Sequence, residues 1–164
     1  MTLPDGITIR RAVPDDAEAL THLHLDCWDD AYAGLIDQRI LDARRTTVPE
    51  RIGRWQTILE QGEGPLVAEG PEGLLGFVST GPGRDNDVDT DLELMSLYVR
   101  AAWWGTGVGY VLFEEACDER AAYLWVLEGN DRALRFYERQ GFRRDGTVDE
   151  HDEGLHVRMV RAGR

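Results

Sequence analysis

The chain contains no lysine; its 18 strong cations are all arginine. This rules out a phosphate loop closed by Gly-Lys-Ser/Thr, and any lysine Schiff base. Cysteine is nearly missing too. Cys27 and Cys117 are too few for a disulfide framework or a cysteine-rich metal cluster, and a reducing cytoplasm is the expected setting. No apolar run reaches the ~18 residues of a membrane span. The opening Met-Thr-Leu-Pro-Asp-Gly lacks the basic-then-apolar pattern of a secretory signal. Positive charge is in deficit: 31 acidic residues leave a net charge of −13. Such a surface repels nucleic acid. It would attract a cationic substrate, or serve only to keep the protein soluble.

What remains is an ordinary globular composition, 42% hydrophobic over 164 residues, which fits one domain spanning 1–164. Ile7 to Ala12 alternates like a first strand. Pro14-Asp15-Asp16 opens a helix whose stripe runs through Ala17, Leu20, His24 and Cys27, with Trp28 beside it. After Gly34, helical stretches are expected over 35–43 and from Pro49, where Ile52, Trp55, Ile58 and Leu59 recur at helical spacing. Residues 66–69 and 74–80 read as a hairpin around Gly70-Pro71-Glu72-Gly73. A polar loop over 81–91 leads to a strand ending at Val99, a helix over 107–120 and a short buried strand over 122–127. A helix over 130–140 closed by Gly141 and strands over 142–148 and 155–160 complete the chain. The order β-α-α-α-β-β-β-α-β-α-β-β predicts an α+β fold. Its sheet is mixed and mostly antiparallel, with one parallel crossover.

The most informative segment is 97–109, Leu-Tyr-Val-Arg-Ala-Ala-Trp-Trp-Gly-Thr-Gly-Val-Gly. A strand runs into a loop with glycine at alternate positions, and a helix begins there. Glycine lets the backbone approach a ligand closely, and the first N–H groups of a helix lack partners, so the segment suits an anionic phosphate group. A dinucleotide site needs G-x-G-x-x-G; here the spacing is G-x-G-x-G, although Glu128 does lie about twenty residues on. A turn whose glycines merely permit tight packing is the plain alternative.

Residues 130–142 follow the pattern N-x-x-A-x-x-F-Y-x-x-x-G-F, and 97–109 follow L-Y-V-x₄-W-G-x-G-V-G. Together they resemble the GNAT superfamily of N-acetyltransferases, and the resemblance covers essentially the whole chain. Trp28 to Leu35, Arg84 to Asp87 and Leu124 to Asn130 are further similar to segments of actinobacterial relatives. The resemblance implies a GNAT-type sheet of about seven strands, flanked by helices and splayed at the cofactor site, with acetyl-CoA as cosubstrate. It maps the pantetheine arm onto Leu97, Tyr98 and Val99, and the diphosphate onto the amides of Gly105, Thr106, Gly107, Val108, Gly109 and Tyr110. Asn130 would cap the following helix and touch the cofactor arm. Trp104 stands where the superfamily usually has Gln or Arg. Its indole either packs on the cofactor or faces the core.

The chemistry needs a neutral amine, a donor to the thioester oxygen and an acid for the leaving thiolate. The resemblance gives Tyr137 the acid role and the Leu97 amide the oxygen; the alternative for Tyr137 is a buried aromatic. Glu93 is the base candidate, or else an ordinary strand acid. Strict alternation would put Glu93, Met95, Leu97 and Val99 on one face. Trp28 and Tyr32, four apart, could wall an acceptor pocket or simply pack. The expected acceptor is a small cationic amine, with no nucleic-acid or membrane partner and with homodimerisation open, dimers being common among relatives. A non-catalytic acyl-CoA sensor and a protein or peptide N-terminal acetyltransferase are the competing functions.

No metal site is expected. The run Asp85, Asp87, Asp89, Asp91, Glu93 lacks the glycine and glutamate of a calcium loop, which leaves a solvated loop. His22 and His24 cannot share a helix face. His151 and His156 flank a glycine turn without evident partners, and Cys27 near His24 reads as a packed thiol.

Overall fold

In the computed structural model, which describes residues 2–163, β1 (Thr8–Arg11) is followed by a 3-10 turn (Pro14–Asp16) and three helices: α1 (Ala17–Tyr32), α2 (Gln38–Arg44) and α3 (Val48–Glu60). Then come the strands β2 (Leu66–Gly70), β3 (Gly73–Pro82) and β4 (Leu92–Val99). A second 3-10 turn (Ala101–Trp103) leads to α4 (Val108–Cys117), β5 (Ala122–Leu127), α5 (Asp131–Arg139), β6 (Arg143–His151) and β7 (Gly154–Arg161). The element order is the one the periodicities predict. The glycine-loop helix is shorter than expected because Asp118, at φ 48°, turns the chain out of it.

The seven strands form one sheet in the order β1-β2-β3-β4-β5-β7-β6. Every pairing is antiparallel except β4 with β5, whose parallel direction requires the crossover that α4 provides. That pairing stops after Glu93↔Tyr123 and Leu94↔Leu124. Beyond it β4 continues on β3 and β5 on β7, so the two strands diverge and leave facing unpaired edges.

Helices cover both faces of the sheet. On one face Val108, Leu112 and Phe113 of α4 and Leu134 and Tyr137 of α5 pack on Val78, Leu94, Leu124 and Val157. On the other, Ala17, Leu20, Leu23 and Cys27 of α1 and Leu59 of α3 pack on Val67, Leu74 and Phe77. Because both faces are covered, β2 buries consecutive residues, Val67 and Ala68, in opposite layers.

Strict alternation fails in β4. Ser79 pairs with Ser96 and Thr80 with Leu94, so Met95 is an extra residue, a β-bulge. The bulge reverses the faces: Leu94, Leu97 and Val99 pack in the α4 layer, while Tyr98 packs in the α1 layer. The expectation that Glu93 shares a face with Leu97 and Val99 is therefore overturned.

His24 sits in α1 against Trp28, Trp55, Phe77 and Tyr98, with the Phe77 ring centroid 5.4 Å away. Burial, reinforced by Arg44 and Arg51, lowers its pKa to about 3. Its folded value thus lies below its unfolded one. Between the two the unfolded chain binds the extra proton, so stability falls as pH drops from about 6.5 toward 3. Denaturant unfolding of His24→Phe should show a flatter acid limb across that window; an unchanged slope would contradict the assignment.

Candidate active site

The divergence of β4 and β5 opens a cleft of about 490 Å³. Leu94 to Val99 form one side and Trp125 to Leu127 the other. Gly109 of α4 and Asn130, Arg132, Ala133, Phe136 and Tyr137 of the α5 segment line it as well. Trp28 and Tyr32 of α1, on the other side of the sheet, also line it, as do Arg84 and the β6–β7 segment with His151, Glu153 and His156. The cleft therefore passes through the sheet and joins its two faces.

At its α4 end, Gly105 and Gly107 adopt φ of 74° and 99°, which L side chains rarely take. The positive φ at Gly107, the N-cap of α4, turns the loop directly into the helix. Among the described residues no protein acceptor receives the N–H groups of residues 105–110. Thr106 steadies the loop by donating its hydroxyl to the Trp103 carbonyl at 2.6 Å. Six consecutive free donors at the positive end of a helix dipole form a seat for a dianionic group.

Trp104 is tied down from both sides. Its Nε1 donates to the Val99 carbonyl at 2.8 Å, and the Arg132 guanidinium lies 3.6 Å from its ring centroid. Arg132 has no ion pair among the described residues, and burial lowers its pKa. A cation thus stands beside the position where the superfamily usually has Gln or Arg.

Asn130 caps α5, its Oδ1 accepting from the Ala133 amide at 3.4 Å. Its amide nitrogen is left for the cleft. Tyr137 is buried against Phe136 and Phe142, at ring separations of 5.4 and 5.9 Å. Its hydroxyl has no protein hydrogen bond among the described residues. Burial raises its pKa well above the ordinary phenol range, against a small opposing effect of Arg132, so it holds its proton at neutral pH.

Trp28 and Tyr32 meet edge to face at 4.9 Å, and the Tyr32 hydroxyl bonds that of Tyr98 at 2.9 Å. The Arg44 guanidinium covers the Trp28 ring at 3.6 Å. Trp28 Nε1 and two nitrogens of Arg44 are buried without a hydrogen-bond partner.

Glu93 stands behind the cleft wall. It is 2% exposed and is absent from the lining. Its Oε1 accepts from the Arg84 amide and Nε (3.2 Å each) and from the Tyr123 hydroxyl (2.9 Å), and its Oε2 from Arg84 Nη2. Burial pushes the carboxyl up, but the bonds from Arg84 and Tyr123 outweigh it and hold the group ionised. Its immediate consequence is to fix Arg84 at the cleft.

The acidic loop is more than a solvated rim. Asp85 and Asp87 grip Arg158, which Asp145 holds from β6. His151 and His156, which have no evident partners in the sequence, meet edge to face at 4.9 Å. The thiols are packed, burial raising Cys27 to about 12. Among the described residues no cluster of three or more His, Cys, Asp or Glu is placed to hold a metal ion, and no helix is long and apolar enough to cross a membrane.

Arg84, Trp125, Arg132, Phe136, His151, Glu153 and His156 reach the cleft without having been singled out as site residues. The β6–β7 residues lie more than a hundred positions from Trp28, and no local pattern announces that contact.

The N-acetyltransferase described as probable, Rv2775 of Mycobacterium tuberculosis, is 28% identical over 88% of this chain and 84% of its own length. The uncharacterised N-acetyltransferase YuaI of Bacillus subtilis is 24% identical over 96% and 91%. An uncharacterised N-acetyltransferase of Archaeoglobus fulgidus is 28% identical over 83% and 92%. The likeness therefore extends well beyond actinobacterial relatives. In fold, the chain is similar to the paiA N-acetyltransferase of Thermoplasma acidophilum, solved in complex with coenzyme A (TM-score 0.71, 21% identity, 95% of this chain and 98% of that one). It is also similar to PH1933 of Pyrococcus horikoshii (TM-score 0.71, 22% identity, 96% and 99%). The sequence model of the Acetyltransferase (GNAT) family matches residues 17–142, and the chain belongs to that family.

Proposed function

We propose that this protein is an acetyl-CoA-dependent N-acetyltransferase acting on a small amine. The observation that carries the reading is the row of unpartnered amides at 105–110 beside a parted sheet. A diphosphate matches the amides, and an extended amide-bearing arm matches the edge of β4 that β5 leaves unpaired from Leu97 to Val99, where only the Val99 carbonyl is already engaged, by Trp104. Arg132 supplies a counter-charge near Trp104, and Asn130 a donor to the arm. The relative solved with coenzyme A has the same fold.

Acetyl-CoA supplies an activated thioester; the residues here orient it and manage protons. The Leu97 amide, at the free edge of β4, donates to the thioester oxygen as charge develops there. An alkyl amine has a pKa near ~10 and must shed a proton before it attacks. Glu93, the sequence candidate for that step, reaches the cleft through Arg84. We assign it to positioning Arg84, and the proton to a group that lines the cleft. Tyr137 protonates the departing thiolate. Trp28 and Tyr32 form the acceptor wall.

Mixing the protein with acetyl-CoA and a panel of primary amines should release free thiol. Calorimetry should show coenzyme A binding, and the loop should control it. Gly107→Ala puts a Cβ at φ 99° and should weaken coenzyme A about tenfold, the equivalent of ~1.4 kcal/mol of strain or reshaping. Unchanged affinity would remove the loop from the site.

A further inference from the structure

Among the described residues the cleft is lined by a single acidic residue, and it makes no hydrogen bond or ion pair there. Glu153, at the β6–β7 turn, is the only acid among the residues that line the cleft. It is half-buried and makes no hydrogen bond or ion pair among the described residues. The acids on the same side are otherwise engaged: Glu93 with Arg84, Asp85 and Asp87 with Arg158. Arg84, which also lines the cleft, is neutralised by the two-pronged grip of Glu93. Arg44 lies on the Trp28 ring, outside the lining, with two of its three nitrogens sealed from solvent. The same cleft is lined by Tyr32, whose hydroxyl feels the Glu153 charge, by Trp125, and by His151 and His156 of the β6–β7 segment. A partly desolvated carboxylate that makes no hydrogen bond or ion pair among the described residues, with Arg44 interacting with it only at longer range, can receive an organic cation in a cleft that also presents aromatic rings.

We propose that Glu153 selects the acceptor, and that the acceptor is an amine bearing a second, non-reacting cationic group whose charge Glu153 receives. This rests on the acetyltransferase reading and adds to it the substrate class and the residue that sets it. The reacting nitrogen is neutral when it attacks. The second nitrogen keeps its charge and anchors the molecule, so the residue acts on binding and leaves the chemical step to others. The net charge of −13 favours the approach of such a molecule.

The test compares a linear diamine with a monoamine of the same length in wild type and Glu153→Gln. The expected result is a KM for the diamine raised about tenfold or more, the loss of one charged hydrogen bond. kcat, coenzyme A affinity and the monoamine KM should stay within about twofold, which also shows that the variant is folded. Glu153→Asp should recover part of the diamine affinity. An unchanged diamine KM in Glu153→Gln overturns the proposal. So does a preference for carboxylate-bearing amines that disappears in Arg44→Met, since that outcome assigns selection to the guanidinium. If coenzyme A binds but no amine releases thiol, the acetyltransferase reading fails by itself. Glu153 is then judged by tryptophan fluorescence with tetramethylammonium, which cannot be acetylated. Weaker binding in Glu153→Gln supports the cation site, and equal binding overturns it.

Discussion

Tyr137→Phe should lower kcat about 10²-fold or more while leaving coenzyme A affinity within about twofold, the range for losing a positioned general acid. The change removes one oxygen and keeps the ring, so the packing on Phe136 and Phe142 persists. Tyr137 lines the cleft, its hydroxyl has no protein hydrogen bond among the described residues, and burial keeps it protonated. Both properties suit a donor to a leaving thiolate. Single-turnover thiol release with saturating amine, beside a calorimetric titration of coenzyme A, separates the step from binding. A variant as fast as wild type would reduce Tyr137 to a packing residue. If the wild type itself bound coenzyme A without turnover and Tyr137→Phe changed nothing, a sensor role on the same fold would be the better description.

Arg158→Met should cost about 3 kcal/mol of folding stability, by analogy with breaking a buried ion pair and allowing for the exposure of Asp87. Arg158 is 3% exposed and bonds Asp85, Asp87, Asp145 and Thr147 at once. It thereby ties β7 to the 83–91 loop and to β6. Methionine fills much of the volume but leaves Asp87 and Asp145 facing one another without a cation. Asp85 keeps Trp125 Nε1, and Asp145 keeps the Thr147 amide, which limits the loss. The loop also carries Arg84 to the cleft, so the acceptor KM should rise in the same variant. The bond from Arg158 lowers the pKa of Asp87, and the bonds from Thr147 and Arg158 outweigh burial in lowering that of Asp145. The stabilisation is therefore present above the ordinary carboxylate pKa and is lost as pH falls through the lowered values; Arg158→Met should lose less stability on acidification. Denaturant midpoints at neutral and acid pH measure both effects. A midpoint equal to wild type at neutral pH would show that the cluster contributes no net stability.

The legible part of the site is the part written in consecutive residues. The glycines at 105 and 107 permit the positive-φ loop that the structure adopts, and the apolar run after them favours a helix, so the start of α4 with its free amides is legible from local rules. Asn130 and Tyr137 are seven apart on one helix that opens and lines the same cleft. Glu93 shows where such reading stops. Alternation assigned it a face, and one inserted residue, Met95, reversed that face because two residues of β4 oppose a single step of β3. Arg84 then claimed the carboxylate, a contact made by a loop with no periodicity.

Trp104 teaches the same lesson from the other side. Its identity was visible as a departure from the usual Gln or Arg, but only the packed chain brings Arg132 onto its ring.

The sequence by itself determined the element order, the mixed sheet and the glycine turn that opens α4, because these depend on hydrogen-bonding and side-chain periods within a few residues. The tertiary structure alone decided which charges stay free. Arg84 and Arg158 are consumed by acids, while Glu153 and Arg132 are left facing the cleft. Pairing of charges across a sheet is a matter of distance in space, and separation along the chain does not encode it.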